Sequence, residues 1–119
     1  MFSLPRPIRE QLLANGRAQE ARMRRNQPTR ELEPVCKVFT PDAGATWLLS
    51  ELIPDDNDVA FGLCDLGVGE PELGYVRISE LKELRGPWGL PVELDAHFKP
   101  ARTLQAYMAA ARTAGRIMA

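Results

Sequence analysis

Residues 35–75 read VCKVFTPDAGATWLLSELIPDDNDVAFGLCDLGVGEPELGY, and this stretch decides the fold. Runs of large apolar and β-forming residues are separated by two turn clusters, TPDAG at 40–44 and PDDND at 54–58. Proline fixes one backbone angle, glycine supplies positive φ, and Asp or Asn bonds its own backbone, so such clusters reverse the chain. The pattern predicts antiparallel strands joined as hairpins. Residues 45–53 are ambiguous, because Ala45, Leu48, Leu49 and Leu52 also recur at helical spacing. Bounded by turns on both sides and followed by another β-rich run, the segment is expected to be a strand. The connection over 54–58 is too long for a two-residue primed turn and is expected to be a looser loop.

In residues 59–66 side chains alternate: Val59, Phe61 and Leu63 share one face, Ala60, Gly62 and Cys64 the other. A shallow face admits close approach, so a helix is expected across Ala60 and Gly62, supplied by the C-terminal segment. Residues 67–72 form a Gly-rich connection, and 73–78 return as a further strand.

Working outward, Pro5 and Pro7 precede Ile8, Leu12 and Leu13, and Asn15-Gly16 stands where a helix would stop, giving a helix of two turns. Residues 17–25 favour helix but bury little, with Glu20 and Arg24 at pairing distance, and are expected to be either a solvated continuation of the first helix or an arm ordered by a partner. Residues 26–29 read as a linker. Towards the C-terminus Ser79 suits the N-cap of a short helix holding Leu81 and Leu84, ended by Gly86-Pro87. Residues 90–94 suit an edge strand, where Pro91 is tolerated. Leu104, Tyr107, Met108 and Ala111 mark one helical stripe that would cover the sheet. The expected class is α+β: a small antiparallel sheet of hairpins covered by a C-terminal helix, with an Arg-rich helical arm over 1–30 and one domain over 31–119.

A chain of 119 residues with 45% hydrophobic content has room for one core. Two cysteines, Cys36 and Cys64, are too few for a disulfide framework or a four-ligand zinc site. No secretory signal or membrane-spanning run is visible, and a reducing cytoplasm is the expected compartment. The net charge of −1 hides an asymmetry. Arg6, Arg9, Arg17, Arg22, Arg24, Arg25 and Arg30 stand against Glu10 and Glu20 in the first thirty residues, and the remainder is acidic. A basic arm suits a solvated helix, a contact with the acidic body or another subunit, or a phosphate backbone. Arg17, Arg22, Arg24 and Arg25 are its candidate binding residues.

The segments FGLCDLG at 61–67 and PELGY at 71–75, within the order of pieces over 35–115, resemble the family catalogued as domain of unknown function number 2958. PIREQLLANGRAQEA at 7–21 looks like the arm many of its members carry. The resemblance implies an origin in bacteria, often on plasmids and other mobile elements. It brings no activity and no site residue.

On chemistry alone, Asp65, Glu70 and Glu72 lie at a strand end and in the loop after it, where three carboxylates could hold magnesium for a metal-dependent nuclease. The alternative is that Asp65 and Glu70 satisfy loop backbone while Glu72 is solvated. Asp95 could orient His97, the only histidine, as a general base, but no nucleophile is placed beside them. The acidic tip 55–58 lacks the glycine and distant glutamate of a calcium loop and is expected to be solvated. Cys36 and Cys64 are expected to be buried thiols. Trp47, Tyr75 and Trp88 could stack bases, with Trp47 better suited to the core. An incomplete catalytic set weighs against an enzyme more than against a binding protein. The expected function is therefore that of a small accessory protein of a mobile element that binds another protein and has no cofactor, with single-stranded nucleic-acid binding or magnesium-dependent cleavage as the alternative.

Overall fold

A computed structural model describes residues 2–119. Helix α1 (Arg6–Arg24) is followed by strands β1 (Cys36–Phe39), β2 (Thr46–Ile53), β3 (Asp56–Asp65) and β4 (Glu72–Arg77). Helix α2 (Ile78–Glu83), strand β5 (Glu93–Leu94) and helix α3 (Leu104–Ala114) complete the chain. The five strands form one antiparallel sheet in the order β4-β3-β2-β1-β5. The predicted α+β class, the hairpin sheet, the covering C-terminal helix and the N-terminal helix are all present.

Both sheet faces are buried, because β2 and β3 carry apolar residues at odd and even positions alike. One face presents Cys36, Val38, Trp47, Leu49, Leu52 and Ala60 to Phe2, Leu12, Ile78, Leu81 and Val92. The other presents Leu48 and Leu63 to Leu104, Tyr107, Ala111 and Ile117. Helix α1 thus lies on one face and α3 on the other. The expectation that the C-terminal helix crosses Ala60 is corrected: Ala60 packs in the cluster that holds Leu12, and α3 sits on the bulky Leu63 face. A Cβ on Gly62 would strike the backbone of Leu48, so its missing side chain serves the neighbouring strand rather than a helix.

The two-turn helix ending at Gly16 is also corrected. Helix α1 runs unbroken for 19 residues through Asn15 and Gly16. Gly16 is buried within it because the Leu52 carbonyl occupies the space a Cβ would need. Asn15 donates from Nδ2 to the Ser50 carbonyl at 2.9 Å, and Gln19, also buried, donates to the Arg30 carbonyl and accepts from the Arg30 N–H. Residues that read as a stop signal instead lock the helix onto β2.

Between β2 and β3 the connection is the two residues 54 and 55, since Ile53 pairs with Asp56, which replaces the looser loop expected over 54–58. Neither residue has positive φ. The strands accommodate this unprimed turn through register shifts, one of which leaves Ser50 unpaired between Leu49↔Gly62 and Glu51↔Phe61. That bulge has a consequence on both faces: Leu49 and Leu52 both reach the α1 side, and Glu51 is opposite Phe61 on the α3 side.

The short helix α2 begins at Ile78, one residue before the expected cap, and ends at Glu83, before Gly86. Ser79 lies in its first turn, where Asp58 accepts from its N–H at 2.9 Å and its hydroxyl at 2.6 Å. Asp56 and Asp58 also face Arg77 at 3.2 and 3.6 Å. The acidic hairpin is thus exposed, as expected, and at the same time tied to α2. Helix α3 carries the expected apolar stripe, and the structure adds its ends: the Thr103 hydroxyl accepts from Ala106 N–H, and Gly115 closes the helix in the left-handed conformation.

Candidate functional site

At one end of the sheet the β1–β2 turn, the β3–β4 connection and the loop 86–90 meet. The pairing Thr46↔Asp65 sets the first two side by side, and Gly67 approaches Gly44 so closely that a Cβ on it would press on the Gly44 carbonyl. On the other side of the same turn, the Asp42 carboxylate accepts from the Trp88 N–H at 2.8 Å and from the Leu90 N–H at 3.4 Å. Gly86 admits that carboxylate because it has no side chain. Within the loop Gly89 N–H donates to Gly86 O, Gly86 N–H donates to Leu90 O, and Gly89 takes positive φ. The result is a braced loop that holds Trp88 86% exposed, with Leu90 half-exposed beside it and Leu66 and Val68 exposed on the neighbouring connection.

Asp65 sits beneath this rim and is buried. Its Oδ1 accepts from Gly67 N–H at 2.9 Å and its Oδ2 from Ile117 N–H at 3.0 Å, so both oxygens organise backbone. Glu70 and Glu72 are exposed, and no group of three or more His, Cys, Asp or Glu side chains able to hold a metal ion occurs among the described residues. The structure does not bring the three carboxylates together as a cation site.

Asp95 accepts from the backbone N–H of His97 at 2.9 Å and lies 3.7 Å from Lys37 Nζ. Its carboxylate thus closes a turn and meets a lysine, whose ammonium also donates to the Ala119 carbonyl. His97 is exposed at the edge of an open hollow of about 500 Å³ bordered by Lys37, Thr40 and Glu93. Cys36 and Cys64 are free and lie on β1 and β3, with β2 between them. Burial pushes their thiols up to about 12 and about 11, well away from thiolate chemistry.

The arginines of α1 divide. Arg24 pairs with Glu20 at 2.7 Å, and Arg22 donates to the Pro28 carbonyl. Arg17 and Arg25 are exposed and make no ion pair among the described residues. Trp47 is in the core, whereas Tyr75 and Trp88 face solvent. Two features escaped the sequence reading. Asp42, which aims Trp88, read only as a turn residue, and Glu51 was not singled out within 45–53; the adjacent pair Ser50-Glu51 breaks strict alternation and was the available signal of a bulge.

These observations define a small α+β domain, a two-faced antiparallel sheet with an apolar, braced rim. Over residues 4–118 the chain matches the family described as protein of unknown function (DUF2958), and it belongs to that family. No curated protein and no solved structure matches it. No helix among the described residues is long and apolar enough to cross a membrane.

Proposed function

We propose that the protein is a cytoplasmic accessory protein of a bacterial mobile element that acts by binding another protein, with the Trp88 rim as its contact surface. The observation that carries this reading is Trp88, an indole 86% exposed on a loop whose backbone is fixed by Asp42. Tryptophan is enriched among residues that dominate protein interfaces, and a loop already held in shape loses little entropy on binding. Acidic Asp42, Glu70 and Glu72 around the rim oppose a phosphate backbone there. The mobile-element setting is supported by the family resemblance.

The test uses wild type and Trp88→Ala as baits in extracts of the native host. A protein retained by wild type and lost by the variant, with both melting at the same temperature, supports the proposal. Undiminished retention by Trp88→Ala contradicts it. Arg17 and Arg25, exposed and unpaired among the described residues, favour a second reading in which α1 meets a nucleic acid. Labelled single-stranded and duplex DNA in a salt series decides that reading. Binding that weakens steeply with salt and is lost in Arg17→Ala/Arg25→Ala would support it, and cleavage on adding magnesium would make it a nuclease.

A further inference from the structure

A second feature, on the α3 side of the sheet and away from the Trp88 rim, is a cleft of about 200 Å³. Its floor is made by the β2 bulge and by the paired positions Glu51, Phe61 and Tyr75 on β2, β3 and β4. Gln19 of α1 and Gln105 in the first turn of α3 form two of its walls. We infer that this cleft is a binding site for a guanidinium or alkylammonium head group, with Glu51 as its counter-ion.

Four observations support the inference. First, the Glu51 carboxylate is half-buried and has one neutral donor, the Ser50 hydroxyl at 3.4 Å, with Gln19 lining the same cleft. No cation lies within ion-pair distance of it among the described residues. Burial accordingly raises its pKa, the response of a carboxylate that lacks a counter-ion. Second, Gln105 Oε1 is buried without a hydrogen-bond partner, so a second acceptor in the cleft wall awaits a donor. Third, Phe61 and Tyr75 pack at 5.1 Å between ring centroids, and aromatic faces attract cations. Fourth, several of the backbone and amide donors at the cleft are already engaged: Leu104 N–H donates to Leu32 O and Ala106 N–H to Thr103 Oγ1 at the start of α3, and the Gln19 amide and Arg30 backbone satisfy each other.

The size is consistent with a head group rather than a whole metabolite, because sites for drug-sized ligands start at roughly 300 Å³. The cation can be a free small molecule or the side chain of an arginine or lysine in a protein partner. Arg30 also borders the cleft and is the one cation of this chain there. It would repel the ligand if it turned inward, so it sets a limit on affinity.

The experiment is an amide-resolved NMR titration of the full chain with butylguanidinium, with a blocked Gly-Arg-Gly peptide, and with glutamate as the anionic control, at constant ionic strength. Saturable shifts at residues 50, 75 and 105 with either cationic probe, absent with glutamate, support the site. Tighter binding of the peptide assigns the cation to a protein partner, and tighter binding of butylguanidinium assigns it to a small molecule. Glu51→Gln is expected to weaken binding roughly tenfold or more, the loss typical of one charge-assisted bond. Tyr75→Ala, at an exposed position, weakens it while leaving the fold intact. Equal affinity in Glu51→Gln, or no saturable shift with either cation, overturns the inference. Trp88→Ala leaves this titration unchanged, so the two surfaces stand or fall separately.

Discussion

Gly16 has no side chain to lose, yet the fit of α1 on β2 turns on it. Alanine in place of glycine favours a helix by about 1 kcal/mol. Here the added methyl would meet the Leu52 carbonyl, a backbone atom that cannot rotate aside, and overpacking typically costs about 1–3 kcal/mol. The clash wins: Gly16→Ala should lower stability by about 1–2 kcal/mol in urea unfolding, opposite to the helix-propensity trend. Glu51 gives the converse case. Its folded pKa is raised by burial, so its charged form opposes folding. That penalty is absent below the unfolded value of about 4.3 and grows as pH rises through the folded pKa. Glu51→Gln should therefore melt above wild type at pH 7, and the difference should disappear near pH 4. A gain in stability with a loss of cation binding marks a residue kept for function. Sequence alone could not find either role. Asn15-Gly16 has the composition of a helix stop, and only contact with β2 makes it a docking notch.

At the scale of elements, the legible features were those fixed by local chemistry. Turn clusters bounded β1 and β2, the alternation in 59–64 gave the two faces of β3, and the stripe of Leu104, Tyr107, Met108 and Ala111 gave α3. What was not legible depended on pairing between distant segments: which helix covers which face, and the bulge at Ser50, set by register against β3. The basic segment shows why. Its charge left open whether it is a solvated arm or one folded onto the acidic body, and Leu12 is fully buried among Trp47-face residues. Leu12→Ala should cost about 2–5 kcal/mol, as for other core leucines, measured by chemical unfolding; a loss below about 0.5 kcal/mol would mean that α1 is held only at its surface. Asp58 links a hairpin to α2 in a pH-dependent way. Its carboxyl is held below the usual range by the two hydrogen bonds from Ser79, aided by Arg77. A lowered folded pKa adds stability above the unfolded value of about 3.9 and loses it as pH falls through the folded value. Asp58→Asn should consequently lower the melting temperature at pH 7, and the gap from wild type should close as the solution is acidified below pH of about 4.

Across the whole molecule, the sheet is shielded on both faces, and its two candidate contact surfaces lie apart. The Trp88 rim gathers three loops at one end, and the Glu51 cleft opens beside the first turn of α3. Basic α1 lies on a body whose remaining charge is acidic, which places opposite charges within one fold as well as offering Arg17 and Arg25 to solvent. The central claim, that the rim binds a protein, is tested most directly by site-specific photo-crosslinking in host cells. A photoreactive residue replaces exposed Pro87, beside Trp88, and in a parallel strain replaces Arg17 on α1. The account predicts a discrete protein adduct from position 87 that disappears when Trp88→Ala is added, and none from position 17. Adducts from position 17 alone, or adducts to nucleic acid, would contradict it and move the contact surface to α1.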